Sequence, residues 1–186
     1  MKEEIIIAGF GGQGVLSMGK ILAYSGLMDD KEVTWFPAYG PEQRGGTANV
    51  TVILSDEKIS SPVLDAYDVV IALNQQSLDK FAPKVKPGGV LIYDTNGIHK
   101  LPERTDIKVY PIDAMAATLD LGNPKAYNMV VMGALLEVMP YKLPMENVEK
   151  GLKKSLPERH HKLIPLNLQA IEKGKDLMKE LVAAEA

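Results

Sequence analysis

The start of the chain sets the strongest limit on its fold. Ile5, Ile6, Ile7 and Ala8 run directly into Gly9-Phe10-Gly11-Gly12-Gln13-Gly14, after which Val15, Met18, Ile21, Leu22 and Leu27 take up helical spacing. A β-branched run that gives way to glycines and then to a 3.6-residue period reads as strand, tight loop and helix. Two further runs, residues 69–73 and 90–93, are apolar almost without interruption, as in strands covered on both faces, and residues 75–85 between them can form a helix. That combination is a βαβ unit, which makes neighbouring strands parallel.

The remaining segments fit the same plan. Residues 33–36 and 108–112 have strand character, and residues 47–54 alternate as a half-buried strand with Val50, Val52 and Leu54 on one face. Beyond residue 112 the pattern turns helical: Pro124, at a first helical position, opens residues 126–139, and helices over 145–156 and 164–181 follow. With 186 residues and no low-complexity linker, the chain is expected to form a single domain over residues 1–186. The expected fold is α/β: one doubly wound, mostly parallel sheet with helices on both faces and a helical C-terminal extension. Such sheets take ligands beyond the carboxyl ends of their strands, here residues 9–14, 37–46, 74–75 and 94–97.

Composition removes several chemistries. The chain has no Cys, which excludes disulfides, thiolate metal sites, Cys-ligated iron–sulfur clusters and a cysteine nucleophile. Twenty-one Lys and Arg against 24 Asp and Glu give a net charge of −3, and the basic residues are dispersed, so no nucleic-acid or membrane footprint is expected. The first residues lack the charged head and apolar core of a signal peptide, and a cytoplasmic protein is the expectation.

Residues 9–14 satisfy G-x-G-x-x-G between a strand and a helix. Glycines there let backbone amides approach a ligand, and the helix start adds partial positive charge that suits a phosphate. The same spacing also serves a tight turn with no ligand. Val15 stands where a P-loop needs Lys, and the second strand runs into Pro37-Ala38-Tyr39 without the acid that binds a dinucleotide's ribose. A second loop, Pro37-Ala38-Tyr39-Gly40-Pro41-Glu42-Gln43-Arg44-Gly45-Gly46, offers the guanidinium of Arg44, amides at Gly45 and Gly46, and the ring and hydroxyl of Tyr39. It reads either as an anion-binding partner of the first loop or as a stiff surface turn in which Arg44 pairs with Glu42.

Taken together, Gly9-Phe10-Gly11-Gly12-Gln13-Gly14-Val15 and Tyr39-Gly40-Pro41-Glu42-Gln43-Arg44-Gly45-Gly46-Thr47 resemble the gamma subunit of the 2-oxoacid:ferredoxin oxidoreductases, over roughly the first three quarters of the chain. The loop wording is most similar to the 2-oxoglutarate branch, with the 2-oxoisovalerate and pyruvate enzymes close. The resemblance implies an accessory subunit beside alpha, beta and ferredoxin-like delta subunits. Thiamine diphosphate, magnesium and iron–sulfur clusters would lie on those partners, ferredoxin would be reduced through the complex, and CoA would be a substrate at or near this chain. Gly11, Gly12, Gln13, Gly14, Tyr39, Gly40, Arg44, Gly45 and Gly46 carry over as motif matches, and Asn74, closing a buried strand, joins them. No catalytic residue and no metal ligand is assigned. A free-standing NAD(P)-binding oxidoreductase and a lone CoA- or nucleotide-binding module are the alternatives that the first loop alone permits.

Other residues have plainer readings. Adjacent His160 and His161 lack metal-ligand spacing. Asp94, Thr95 and Asn96 read as a turn at a strand end. Met115, Met129, Met132 and Met139 fall at helix-core spacings as gap fillers. Trp35 and Phe36 are either core residues or interface anchors.

Overall fold

The computed structural model describes residues 1–39 and 46–185, without the side chains of Tyr39 and Glu185. Among the described residues six strands, β1 (Lys2–Phe10), β2 (Glu32–Tyr39), β3 (Thr47–Ser55), β4 (Tyr67–Ala72), β5 (Val85–Asp94) and β6 (Lys108–Ile112), form one sheet in the order β2-β3-β1-β4-β5-β6. β1, β4, β5 and β6 pair in parallel. β3 is antiparallel to both of its neighbours, with Phe10 opposite Thr47 and Tyr39 opposite Ala48. β2 therefore points the same way as β1, and the mostly parallel sheet expected from the strand runs is present.

The helices are α1 (Val15–Met28), α2 (Gln75–Phe81), α3 (Ala114–Asp120), α4 (Tyr127–Val138), α5 (Met145–Ser155) and α6 (Ile164–Glu185). Strand residues alternate between two cores, because successive side chains point to opposite faces. Ile5, Ile7, Val52, Ile71 and Ile92 face a large cluster built with α1, α4, α5 and α6. Ile6, Ala8, Val70 and Leu91 face a smaller one with Leu78, Phe81 and Ala82 around α2. Helices thus cover both faces, unequally.

Four elements depart from the sequence reading. The helix over 75–85 is α2 followed by a 3-10 turn, Ala82–Lys84, because Pro83 cannot continue an α-helix ladder. Pro124 opens a 3-10 turn, Pro124–Ala126, and α4 starts at Tyr127. α3 has no counterpart in the sequence reading; it is a short helix whose signal was Asp113, whose carboxylate accepts from the Ala116 amide at 2.9 Å ahead of a run of good helix formers. β3 is also more deeply buried than a half-buried strand, since every residue from Val50 to Ser55 is buried. It lies between β1 and β2, covered on both faces.

The helical layer is held by a very close crossing of α4 and α6. A Cβ on Gly133 would lie 1.9 Å from the Ile171 carbonyl oxygen, and one on Gly174 would lie 1.9 Å from that of Val130. Only glycine at both positions allows the two backbones to approach so closely.

Candidate functional site

The connection from β1 leaves through α1 on one face of the sheet, and that from β4 leaves through α2 on the other. The carboxyl ends of these adjacent parallel strands form the point where the topology divides, the usual crevice for a ligand in an open α/β sheet. Residues 9–14 and Asn74 stand on its two sides. Gln13 bridges them: its Oε1 accepts from the Phe10 amide at 2.6 Å, and its Nε2 donates to the Leu73 carbonyl at 3.2 Å. The motif glutamine is thus a staple between β1's loop and β4.

Some of the loop amides are engaged within the protein. Gly11 N–H donates to the Gly46 carbonyl at 3.1 Å and Gln13 N–H to Phe10 at 3.3 Å. Gly14, at φ 75°, is the N-cap of α1, and neither a side-chain cap nor an acidic residue occupies the first turn. The first intrahelical bond is Met18 to Gly14 at 2.9 Å, so the amides of Val15, Leu16 and Ser17 have no partner within the helix. An anion here would meet those amides together with the positive end of a 14-residue helix dipole.

The second loop arrives at the same place. β2 ends at Tyr39 and β3 begins at Thr47, and Gly46 sits against Gly11. The described end of the second loop, Gly46, therefore lies against the first loop. Gly40, Arg44 and Gly45 lie outside the described residues, as does the side chain of Tyr39.

Asn74 has a definite structural task. It is 3% exposed, and its Oδ1 accepts from the Ser77 amide at 2.8 Å, capping α2. Its Nδ2 is buried without a partner among the described residues. Asn74→Ala is expected to cost about 1 kcal/mol through the lost cap, lowering Tm by roughly 2–4 °C for a domain of this size. Thermal unfolding of the variant measures it, and Asn74→Asp, which keeps an acceptor, should retain more of the cap.

A further wall was not legible in the sequence. Asp94, at the end of β5 and 2% exposed, accepts a hydrogen bond from the Tyr127 hydroxyl. Burial first, then the hydrogen bond and charge of Asp94, hold that hydroxyl above its ordinary range and keep it a donor. Asp94 also accepts from the Asn96 amide at 2.9 Å, the turn anticipated for residues 94–96. The start of α4 is pinned by this contact next to Gly14, where an added Cβ would lie 2.8 Å from Asn128 Cβ. Asp94 and Tyr127 are 33 residues apart, and no local pattern joins them.

Elsewhere, His161 Nε2 donates to the carbonyls of Lys153 at 3.0 Å and Leu156 at 2.9 Å, ending α5. Met129, Met132 and Met139 are buried as expected. Met115 is not: it is 42% exposed, because α3 turns that side away from the core. Trp35 and Phe36 are 39% and 45% exposed, on the edge strand β2. Among the described residues no helix is long and apolar enough to cross a membrane.

The fold is that of a mostly parallel α/β subunit, and the pyruvate ferredoxin/flavodoxin oxidoreductase family model matches residues 4–177. The chain belongs to that family. It is 36% identical over 182 residues to the ketoisovalerate oxidoreductase subunit VorA of Methanothermobacter marburgensis, covering 98% of this chain and 38% of that protein. Here, then, the chain spans little more than a third of its relative. It is also 36% identical over 185 residues to the 2-oxoglutarate synthase subunit KorC of Methanocaldococcus jannaschii, covering 97% and 96%. Among solved structures, the gamma subunit of the keto/oxoacid ferredoxin oxidoreductase of Geobacter sulfurreducens superposes with a TM-score of 0.82 at 29% identity, covering 97% of this chain and 98% of that one. The 2-oxoglutarate:ferredoxin oxidoreductase of Magnetococcus marinus, with 2-oxoglutarate, coenzyme A and succinyl-CoA bound, gives 0.85 at 29% identity, over 97% of this chain and 31% of that one. Within the family the chain is of the gamma type.

Proposed function

We propose that this chain is the gamma subunit of a complex that oxidatively decarboxylates a 2-oxoacid with CoA, giving an acyl-CoA and CO2 and reducing ferredoxin. Among the 2-oxoacids, 2-oxoglutarate is the proposed substrate, because the loop wording is most similar to that branch. The reading is supported by one observation above the others: the Gly11–Gly46 hydrogen bond holds the described end of the second motif against the first, beside the uncapped start of α1. That arrangement suits the phosphates of CoA, and Arg44 would add a forked donor. The chain supplies scaffold and this CoA-facing loop pair, within a single domain over residues 1–186. Thiamine diphosphate, magnesium and the clusters belong to alpha, beta and ferredoxin-like delta partners, in keeping with a chain that has no Cys. A cytoplasmic location is part of the same reading.

Co-purification from the native host is the first test: a tagged chain that brings down no thiamine-binding or cluster-bearing subunit refutes the assignment. In the reconstituted complex Arg44→Ala should raise KM for CoA about 10- to 100-fold, the range for a lost charged hydrogen bond, and leave the Tm of the chain nearly unchanged. Steady-state kinetics with CoA varied decide it, and an unaltered KM removes Arg44 from the site. The nicotinamide alternative is disfavoured by the end of β2, where Pro37-Ala38-Tyr39 stands without the acid that would hold a dinucleotide's ribose.

A further inference from the structure

The opposite end of the sheet, where the parallel strands begin, contains a buried acid that no step of the reaction uses. Glu3 is 4% exposed, in the second position of β1. Its Oε1 accepts the Tyr141 amide at 3.1 Å, while its Oε2 is buried and has no partner among the described residues. Tyr141 belongs to the connection between α4 and α5. This one hydrogen bond spans 138 residues and fastens the helical layer to the first strand.

The surrounding charges do not suit a carboxylate at Glu3. Lys86 donates to Glu4 and to Asp68, the latter at 2.8 Å, so it already faces two acids. Asp68 stands at an irregularity in the β4–β5 ladder and also accepts the Glu4 amide at 2.8 Å. Lys2 pairs with Glu4, and Lys142 donates to the Glu137 carbonyl. The Met1 amino group pairs with Asp56 at 2.6 Å, and Lys31 binds the same acid at 2.7 Å while lying over the Tyr141 ring. Each cation near Glu3 is therefore engaged elsewhere, and Asp68 adds a like charge. A groove of about 360 Å³, lined by Glu3, Asp68, Lys86 and Pro140, lies beside it. Pro140, the residue before Tyr141, forms part of the wall that Glu3 shares.

We infer that Glu3 and the Tyr141 amide form a proton-operated clasp, closed when the Glu3 carboxyl is protonated and loosened when it ionises, which sets how tightly the α4–α5 connection is held to the sheet. Burial, with the charge of Asp68 second, pushes the Glu3 carboxyl up to about 7, against an opposing pull from Lys86, Lys142 and the Met1 amino group. An acid raised above its unfolded value binds its proton more tightly when folded. Its stabilising contribution is complete below the ordinary Glu range and is lost as pH rises through about 7. The clasp works near neutral pH and does not depend on which ligand the opposite end of the sheet takes.

Amide hydrogen exchange at Tyr141 in the full chain tests this. Once the intrinsic exchange rate is divided out, protection in the wild type should fall about tenfold or more between pH 6 and pH 8, a two-unit span around the titration. Glu3→Gln, which keeps the acceptor and cannot ionise, should hold its protection constant. Constant protection in the wild type, or an equal fall in Glu3→Gln, overturns the clasp. Should the variant not fold, the carboxyl carbon of Glu3 is followed by NMR in the wild type: a midpoint of 6 or above supports the clasp, and one below 6 overturns it.

Discussion

Gly133→Ala is expected to destabilise the chain by about 3 kcal/mol or more, the upper range for overpacking a rigid contact. Helix propensity alone argues the other way, since alanine in a helix interior is favoured over glycine by about 1 kcal/mol. The sign of the measured change therefore reports directly on the contact. At Gly133 the added methyl would lie 1.9 Å from the Ile171 carbonyl oxygen, 2.8 Å from its carbon and 3.0 Å from Gly174 Cα, all of them backbone. No side-chain rotation relieves that overlap, and α4 and α6 must separate along the length of their interface. A Tm lower by roughly 6–12 °C is the corresponding shift at this chain length. Gly174→Ala should behave alike, because its methyl would meet the Val130 carbonyl oxygen at 1.9 Å. A rise in Tm for either variant would show that the helices do not cross there.

Gly14→Ala is the second large effect, and it acts at the candidate site. Two costs combine. A non-glycine residue in the left-handed region costs about 1–2 kcal/mol, and Gly14 has φ 75°. The methyl would also lie 2.8 Å from Asn128 Cβ and Cγ, which adds about 1–3 kcal/mol as an overpacked contact. Gly12 supplies the control: its φ is 94° and nothing lies within 4 Å, so Gly12→Ala should carry the conformational cost alone. The difference between the two variants isolates the approach of α4 to the glycine loop. In an Asn128→Gly background Gly14→Ala should lose most of its excess, with a coupling of about 1 kcal/mol or more in the double-mutant cycle. Equal effects of the two glycine variants would mean that α4 does not frame the loop.

The strands were legible because their apolar runs are local and long enough to specify themselves. The parallel pairing of β4 and β5 followed from the helix between them. α3 was missed because seven residues give too little periodicity, and its single cue, Asp113 as a cap, resembles any other Asx turn. The site was legible up to its motifs. Paired glycine loops with one arginine announced two neighbouring turns, and the described end of the second, Gly46, is bonded to Gly11. The spacing did not reveal which groups are already engaged: the Gly11 amide bonds Gly46, and the Gln13 side chain turns to Leu73. Asp94 and Tyr127 were beyond reach for a different reason: their contact exists only once β5 and α4 have been packed against the same core. The Glu3 clasp is longer-range still. An acid at the second position of a strand looks solvated until a connection more than a hundred residues later closes over it.

One reversed strand decides which ends of the sheet share a rim. Because β3 runs against both of its neighbours, β2 ends at Tyr39 and β3 begins at Thr47 on the rim where β1 also ends, at Phe10. A third strand parallel to β1 would have begun at the opposite rim, and Gly46 could not then have met the Gly11 amide.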